Sequence, residues 1–261
     1  MKKYVQIMSL EWKNAIIYRT DTALSALFSV FTVVLAYLLW SAVFGSREIV
    51  DGFTLPQMVT YYLLSKIVSP FSQGGGIQNE FSDEIKSGAY SKYIVKPISP
   101  LGYFVFASFA RMILPVLLNT IVMAIAMISF PQYFLALHPA IIITAIPVLL
   151  LSGILSMLID YLIAMSTFKL TDISFIYILK NIFTMLLSGG LIPLNMLLGD
   201  KIAMWSPFSY IIYYPVMLCM GKTNISIFTA IGVISVWIAI LILVARFVQH
   251  LAPKAFEGVG I

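Results

Sequence analysis

Thr22 to Ser46, TALSALFSVFTVVLAYLLWSAVFGS, runs without a charged side chain. A helix needs about 20 mostly apolar residues to cross a hydrocarbon core about 30 Å thick, and this stretch supplies them. Similar stretches follow through the rest of the chain. Of its 261 residues 61% are hydrophobic and 10% charged, and the mean hydropathy is +0.98, whereas a soluble domain averages about 45–50% apolar and about 25% charged. With 16 Lys and Arg, 11 Asp and Glu and 2 His, the chain cannot coat a water-exposed surface, so much of its exterior must face lipid. A soluble globular protein is excluded.

Working outward, the charges mark where the chain leaves the bilayer. Arg47, Glu48, Asp51 and Gly52 close the first span, 22–46, and a second fits 54–78, broken only by Lys66. Residues 79–100 carry Glu80, Asp83, Glu84, Lys86, Lys92 and Lys96 and read as an aqueous loop. Further spans fit 101–130, 140–168, 173–195 and 223–245, with a tail at 246–261. Residues 196–222 are uncharged from Ile202 to Gly221, yet Pro207 and Pro215 divide them, and Trp205, Tyr210, Tyr213 and Tyr214 are interfacial types. They read as an extracellular re-entrant hairpin before the last span. The expected fold is a single all-α polytopic membrane domain, 1–261, with six transmembrane helices.

With the N-terminus inside, Lys2, Lys3, Lys13, Arg19, Lys86, Lys92, Lys96, Lys169, Arg246 and Lys254 fall on the cytoplasmic side, against Arg47, Lys201 and Lys222 outside. That bias places both termini in the cytoplasm and the protein in the cell membrane, among lipids. Glu11, Lys13 and Asn14 interrupt the place of a signal-peptide core. Residues 3–18 read instead as an interfacial helix, with Tyr4, Val5, Met8, Trp12, Ala15 and Ile16 on one side and Lys2, Gln6, Lys13 and Asn14 on the other.

Catalytic and cofactor signatures are missing. There is no GxxxxGK[ST] phosphate loop, no dinucleotide fingerprint, no HExxH and no GxSxG. Gly74, Gly75 and Gly76 lack the Lys-Ser/Thr that a phosphate loop needs, and suit close helix packing or a bend. The lone Cys219 allows no intrachain disulfide and reads as a packed small residue, and two distant His leave no metal site. No catalytic residue, resident cofactor, metal or nucleic-acid partner is expected.

Four ionisable residues fall inside expected spans: Lys66, Arg111, Asp160 and Lys180. Each costs about 2.5–3.5 kcal/mol at a helix centre unless paired or wet. Asp160 and Lys180 reach similar depths on consecutive antiparallel helices and are expected to pair, either for helix packing alone or for transport. Arg111 and Lys66 suit a cavity, snorkelling or a partner's carboxylate. Pro115, Pro139 and Pro147 lie in or beside spans, where they kink helices.

The loop NEFSDEIKSGAYSKYIVKPISP, Asn79 to Pro100, is longer than the 2–8 residues that usually join helices. Ser82 with Asp83 and Glu84 suits a helix start, and Gly88 its end. Tyr90, Tyr93, Ile94 and Val95 between Lys92 and Lys96 suggest docking of a cytosolic partner.

Three motifs resemble ABC-2 type ABC transporter permeases of the bacterial six-span, type V exporter-like group: Glu84-Ile85-Lys86-Ser87-Gly88, Ile94-Val95-Lys96-Pro97-Ile98-Ser99-Pro100 and Ser188-Gly189-Gly190-Leu191-Ile192-Pro193. The resemblance implies the permease subunit of an ATP-driven exporter of amphipathic or hydrophobic substrates. Glu80 to Gly88, including Asp83, Glu84, Ile85 and Lys86, would be a coupling helix docking a separate ATPase. The loop motif Lys96, Pro97, Ser99 and Pro100 would follow, residues 3–18 would be the connecting helix, and Gly189, Gly190, Pro193 and Pro207 would belong to the re-entrant segment. ATP and Mg would reside on the partner ATPase, and a second permease would complete a homodimer or heterodimer. An ATP-independent carrier would show inverted repeats, and a lipid-modifying enzyme an acid/base or metal cluster; neither is evident.

Overall fold

The computed structural model of the chain describes residues 2–95, 98–170, 172–197, 199–223 and 225–256. Among them the α-helices are α1 (Lys2–Ile17), α2 (Arg19–Phe44), α3 (Leu55–Ser72), α4 (Ile77–Lys86), α5 (Lys92–Val95), α6 (Pro100–Ser129), α7 (Pro139–Met165), α8 (Ser174–Leu187), α9 (Leu194–Leu197), α10 (Gly199–Trp205), α11 (Tyr213–Cys219) and α12 (Ile227–Phe256). Extended pairing among the described residues is limited to the Val50–Phe53 bridge between α2 and α3.

Local chemistry sets several helix ends. Gly45, at φ +54°, ends α2. At the start of α3 the Thr54 N–H donates to Gln57 Oε1 at 3.0 Å, half of a capping box. Ser99 Oγ accepts from the Gly102 N–H at 2.9 Å and Pro100 takes the first helical position of α6, where its missing N–H costs nothing. Pro139 opens α7 in the same way.

Among the described residues four helices are long and apolar enough to cross a membrane: Arg19–Phe44, Pro100–Ser129, Pro139–Phe168 and Ile227–His250. This corrects the expectation of six. The helix within 54–78 stops at Ser72, before a turn in which Gly74, Gly75 and Gly76 all have positive φ. It carries Gln57, Thr60, Tyr61, Tyr62, Ser65 and Lys66 and is buried over most of its length, so protein rather than lipid surrounds it. The helix within 173–195, α8, has only 14 residues, about 21 Å at 1.5 Å per residue, short of the hydrocarbon thickness. The assignment of cationic residues to two sides rested on six alternating spans and falls with them.

α1 and then α2 run along α6: Tyr4 stacks on Phe106 at 4.9 Å, Glu11 meets Arg111, and Val33 and Val34 of α2 share a cavity wall with Met123 and Ala126 of α6. α3 returns beside them in the opposite sense, with Val59 near Met123 and Ser69 near Arg111. α7 packs most extensively on α12. Phe28 and Phe31 of α2, Ile128 of α6 and Phe228 of α12 point outward, as lipid-facing side chains must.

Residues 194–197 and 199–219 include the short helices α9, α10 and α11. Tyr210, Tyr213 and Tyr214, expected at a membrane interface, are buried, whereas Trp205 is exposed. α11 is buried throughout, packed on α3 and α7. At this end Lys222 Nζ donates to Gly52 O at 2.8 Å and Gln57 Oε1 at 2.6 Å, and burial pulls its ammonium below the ordinary lysine range.

Candidate functional site

The site is built at the end of the protein where α1, α4 and α6 meet. Gly76, at φ +76°, turns the chain out of the glycine triplet, and α4 begins at Ile77 rather than at Ser82 as its sequence suggested. Apolar spacing decides the face: Ile77, Phe81 and Ile85 point inward and are buried. Phe81 stacks on Tyr161 of α7 at 4.9 Å and lies 4.8 Å from Phe104 of α6. Tyr90 meets Phe168 edge-on at 5.0 Å. The Tyr161 hydroxyl accepts from Gln249 Nε2 of α12, and Thr167 Oγ1 donates to Ser82 Oγ at 3.0 Å. An aromatic cluster thus bolts α4 to α6, α7 and α12.

The opposite face of α4 is left in solvent: Asn79, Asp83, Lys86 and Ser87 are exposed. Gly88, at φ +76°, stops the helix where a side chain would be strained. Glu80 and Glu84 lie between the two faces. Glu84 pairs with Lys92 of α5, whose ammonium also lies 4.8 Å from the Tyr93 ring centre. Burial and the nearby Glu84 carboxylate hold the Tyr93 hydroxyl well above its ordinary range. Of the following motif, Ser99 and Pro100 cap α6, and Lys96 and Pro97 lie outside the described residues.

Arg111 is the hub behind α4. Its Nε lies 2.8 Å from Glu11 Oε2 of α1, its Nη1 lies 2.5 Å from Glu80 Oε2 of α4, and Nη1 also donates to Gly75 O at 3.2 Å. One guanidinium therefore ties the N-terminal helix, the glycine turn and α4 to a long apolar helix, using the fixed fork that distinguishes arginine from lysine. Sequence reasoning took Glu11 only as an interruption of an apolar run. Its spacing from Tyr4, Met8 and Ala15 places it on the packed stripe of α1, which was the available signal.

Across the glycine turn lies the second charged group. Lys180 Nζ of α8 is 2.8 Å from Asp160 Oδ1 of α7, both buried. A Cβ added to Gly74 would lie 1.9 Å from Asp160 Oδ2, and one on Gly75 would lie 2.8 Å from Ser108 Cα of α6. Ser108 Oγ donates to Gly74 O at 3.2 Å and Ser156 Oγ to Ser72 O at 2.9 Å. The triplet is thus wedged between α6 and α7. Lys66 joins neither charged group; it lines a cavity of about 230 Å³ with Ser69, Tyr177 and Asn181.

The Gly189 segment serves the other end of the protein. Gly189, at φ +82°, receives the Tyr61 hydroxyl on its carbonyl at 2.7 Å, and Tyr62 donates to Leu191 O. Pro193 precedes α9, and Pro207 opens the turn before Tyr210. None of these residues approaches α4. Among the described residues, no group of three His, Cys, Asp or Glu could hold a metal ion.

Long apolar helices with outward-facing apolar side chains and a charged amphipathic helix locked across one end define a membrane-embedded all-α protein. Residues 30–260 match the ABC-2 family transporter protein. The chain belongs to that family, and its function is membrane transport of the ABC-2 type. α1 and its Glu11 precede the matched region. A search of curated proteins gave no significant match.

Proposed function

We propose that the chain is the permease subunit of an ATP-driven exporter and that α4 is the element through which a separate ATPase subunit drives it. The observation that carries this reading is the two-sidedness of α4: one face bolted by aromatic stacking to α6 and α7, the other presenting Asn79, Asp83, Lys86 and Ser87 to solvent. A push on the exposed face reaches the long helices through close-packed rings, which do not deform continuously. Asp83 and Lys86 are the docking residues; Glu80 and Glu84 hold the helix in place and Ile85 anchors it.

In this reading ATP and Mg belong to the partner, and a second permease, identical or related, completes the substrate path. The substrate is amphipathic or hydrophobic and moves outward. The α4 end is cytoplasmic in this reading, since Lys86 of α4 and Lys92 of α5 lie there. α12 ends on the same side, since Gln249 reaches Tyr161, so both termini are cytoplasmic. Nucleotide shifts the permease only if α4 contacts the ATPase differently in its two states.

The test is copurification of an ABC ATPase with the tagged chain from native membranes. The charge reversal Asp83→Lys with Lys86→Glu should abolish association and ATPase stimulation while leaving the chain's own melting temperature unchanged. Undiminished association in that variant would overturn the docking role of α4.

A further inference from the structure

Arg111 and Lys180 both meet carboxylates within the helices, and Lys66 does not. Among the described residues the Lys66 ammonium has no ion pair and no hydrogen bond, although the residue is half-buried. A cation so placed is costly unless it is paired or wet. It lines a cavity of about 230 Å³ between α3 and α8, and none of the described lining residues is acidic.

The two walls are polar faces of antiparallel helices. Tyr61, in the second turn of α3, donates to Gly189 O just beyond α8. At the other end Gln73, directly after α3, shares the cavity with Tyr177 in the first turn of α8. Tyr177, Asn181 and Thr184 recur at i, i+4 and i+7, so α8 turns them to the cavity as one face. Counted from the Tyr61–Gly189 contact, Lys66 lies about 7.5 Å along α3 and Asn181 about 12 Å along α8. The flexible four-carbon stem of lysine spans that difference.

The serines of α3 give their protons to their own helix: Ser65 Oγ donates to Tyr61 O at 2.7 Å and Ser69 Oγ to Lys66 O at 3.0 Å. The donors left at this level are the Lys66 ammonium and the Asn181 amide, which has no hydrogen bond among the described residues. Round α8, exposure rises from buried Lys180 and Thr184 through half-buried Tyr177 to exposed Asn181, Met185 and Ile178. Asn181 and Met185 both line the cavity, which therefore opens onto the apolar outward side of α8.

We propose that this cavity binds an anionic amphiphile, its phosphate or carboxylate head on Lys66 and Asn181 and its chain passing Met185 along the outward side of α8. An oxyanion takes charge-assisted hydrogen bonds from the ammonium and pairs a charge that the protein leaves unpaired. The site needs neither an ATPase nor a second permease, so it stands or falls apart from the docking role of α4.

Native mass spectrometry of the full chain, purified in a non-ionic detergent and titrated with dodecyl phosphate, dodecanoate and dodecyltrimethylammonium, tests it. Both anions should bind once per chain, and the cation about tenfold more weakly or not at all. Lys66→Gln should weaken dodecyl phosphate about tenfold and Asn181→Leu about threefold, and Lys66→Arg should restore binding. The Lys66 ammonium has no partner to lose, so Lys66→Gln should melt no lower than the parent chain without ligand. Asn181 is exposed, so Asn181→Leu decides the matter even where Lys66→Gln folds poorly. Equal binding of the cation, or unchanged dodecyl phosphate binding in either variant, would overturn the proposal. Displacement of dodecyl phosphate by phosphatidylglycerol would support the site with a membrane lipid as the source; binding undiminished by that lipid would support it with a soluble amphiphile as the source.

Discussion

Two charged groups flank the Gly74–Gly76 turn, and they differ in kind. Asp160 and Lys180 have side chains 0% and 6% exposed, whereas Arg111, Glu11 and Glu80 keep 26%, 9% and 29% of theirs. The first is one cation against one anion in a dry interior, with no other donor on Asp160. The second is one guanidinium shared by two carboxylates and a carbonyl, partly wet. A dry pair has one arrangement worth having, because removing either member strands the other charge. A wet, shared hub can lose one contact and keep the rest. The dry pair therefore holds α7 against α8, and the hub is the less rigidly held of the two joints.

The largest effects should fall on the dry pair. Asp160→Asn and Lys180→Gln should each cost about 3–5 kcal/mol, as breaking one side of a buried pair does. The double variant should be milder than their sum, because no charge is left unpaired. Melting temperature in detergent, read by intrinsic fluorescence, checks this, and strict additivity would erase the distinction between the two groups. Gly74→Ala probes the same pair from the backbone side. Its Cβ collides with the Asp160 carboxylate, and its φ of +55° lies where L-residues pay about 1–2 kcal/mol. It should lose well-folded protein on size exclusion, while Gly45→Ala, whose Cβ meets nothing, should lose only the conformational part.

The hub should give less. Arg111→Gln leaves Glu11 nearly buried without its cation, a cost of about 1–3 kcal/mol that solvent at Glu80 reduces. Glu80→Gln keeps a hydrogen-bond acceptor for Arg111 and should cost less than Arg111→Gln in the same melting assay. A Glu80→Gln loss equal to that of Lys180→Gln would show the hub to be as rigid as the dry pair, and the contrast would fail.

How much of this could be read from sequence follows from how local each cause is. The ends of α6 and α7 are written in Ser99-Pro100 and His138-Pro139, because capping and proline geometry act within a few residues. The pairing of Asp160 with Lys180 is anticipated from depth alone. The number of spans was not legible in the same way. Apolarity marks what can be buried, and Leu55–Ser72 is buried in protein, where Tyr61 and Tyr62 find backbone partners that lipid would not offer. Length failed for α8, since a positive-φ glycine at 189 stops it sooner than the apolar run does. α4 begins before Ser82 because Gly76 outranks a serine cap when the residues after it already place Ile77, Phe81 and Ile85 on one face. Glu11 was missed because its partner is distant in sequence, on α6.

The smallest effect separates holding from docking on α4 itself. Glu84 pairs with Lys92, whose side chain is 36% exposed, so the pair contributes about 0.2–1 kcal/mol. Glu84→Gln should therefore leave melting nearly unchanged, shifting it less than Glu80→Gln does. It should, however, release Lys92 from the α4–α5 corner, freeing an ammonium beside the exposed Asp83 and Lys86. If α4 docks through that face, Glu84→Gln should change the salt dependence of ATPase association while melting stays constant, since exposed charges are screened within about 8–10 Å at physiological ionic strength. If association and its salt dependence both stay as in the parent chain, the corner is structural trim, and the docking face narrows to Asn79, Asp83 and Lys86.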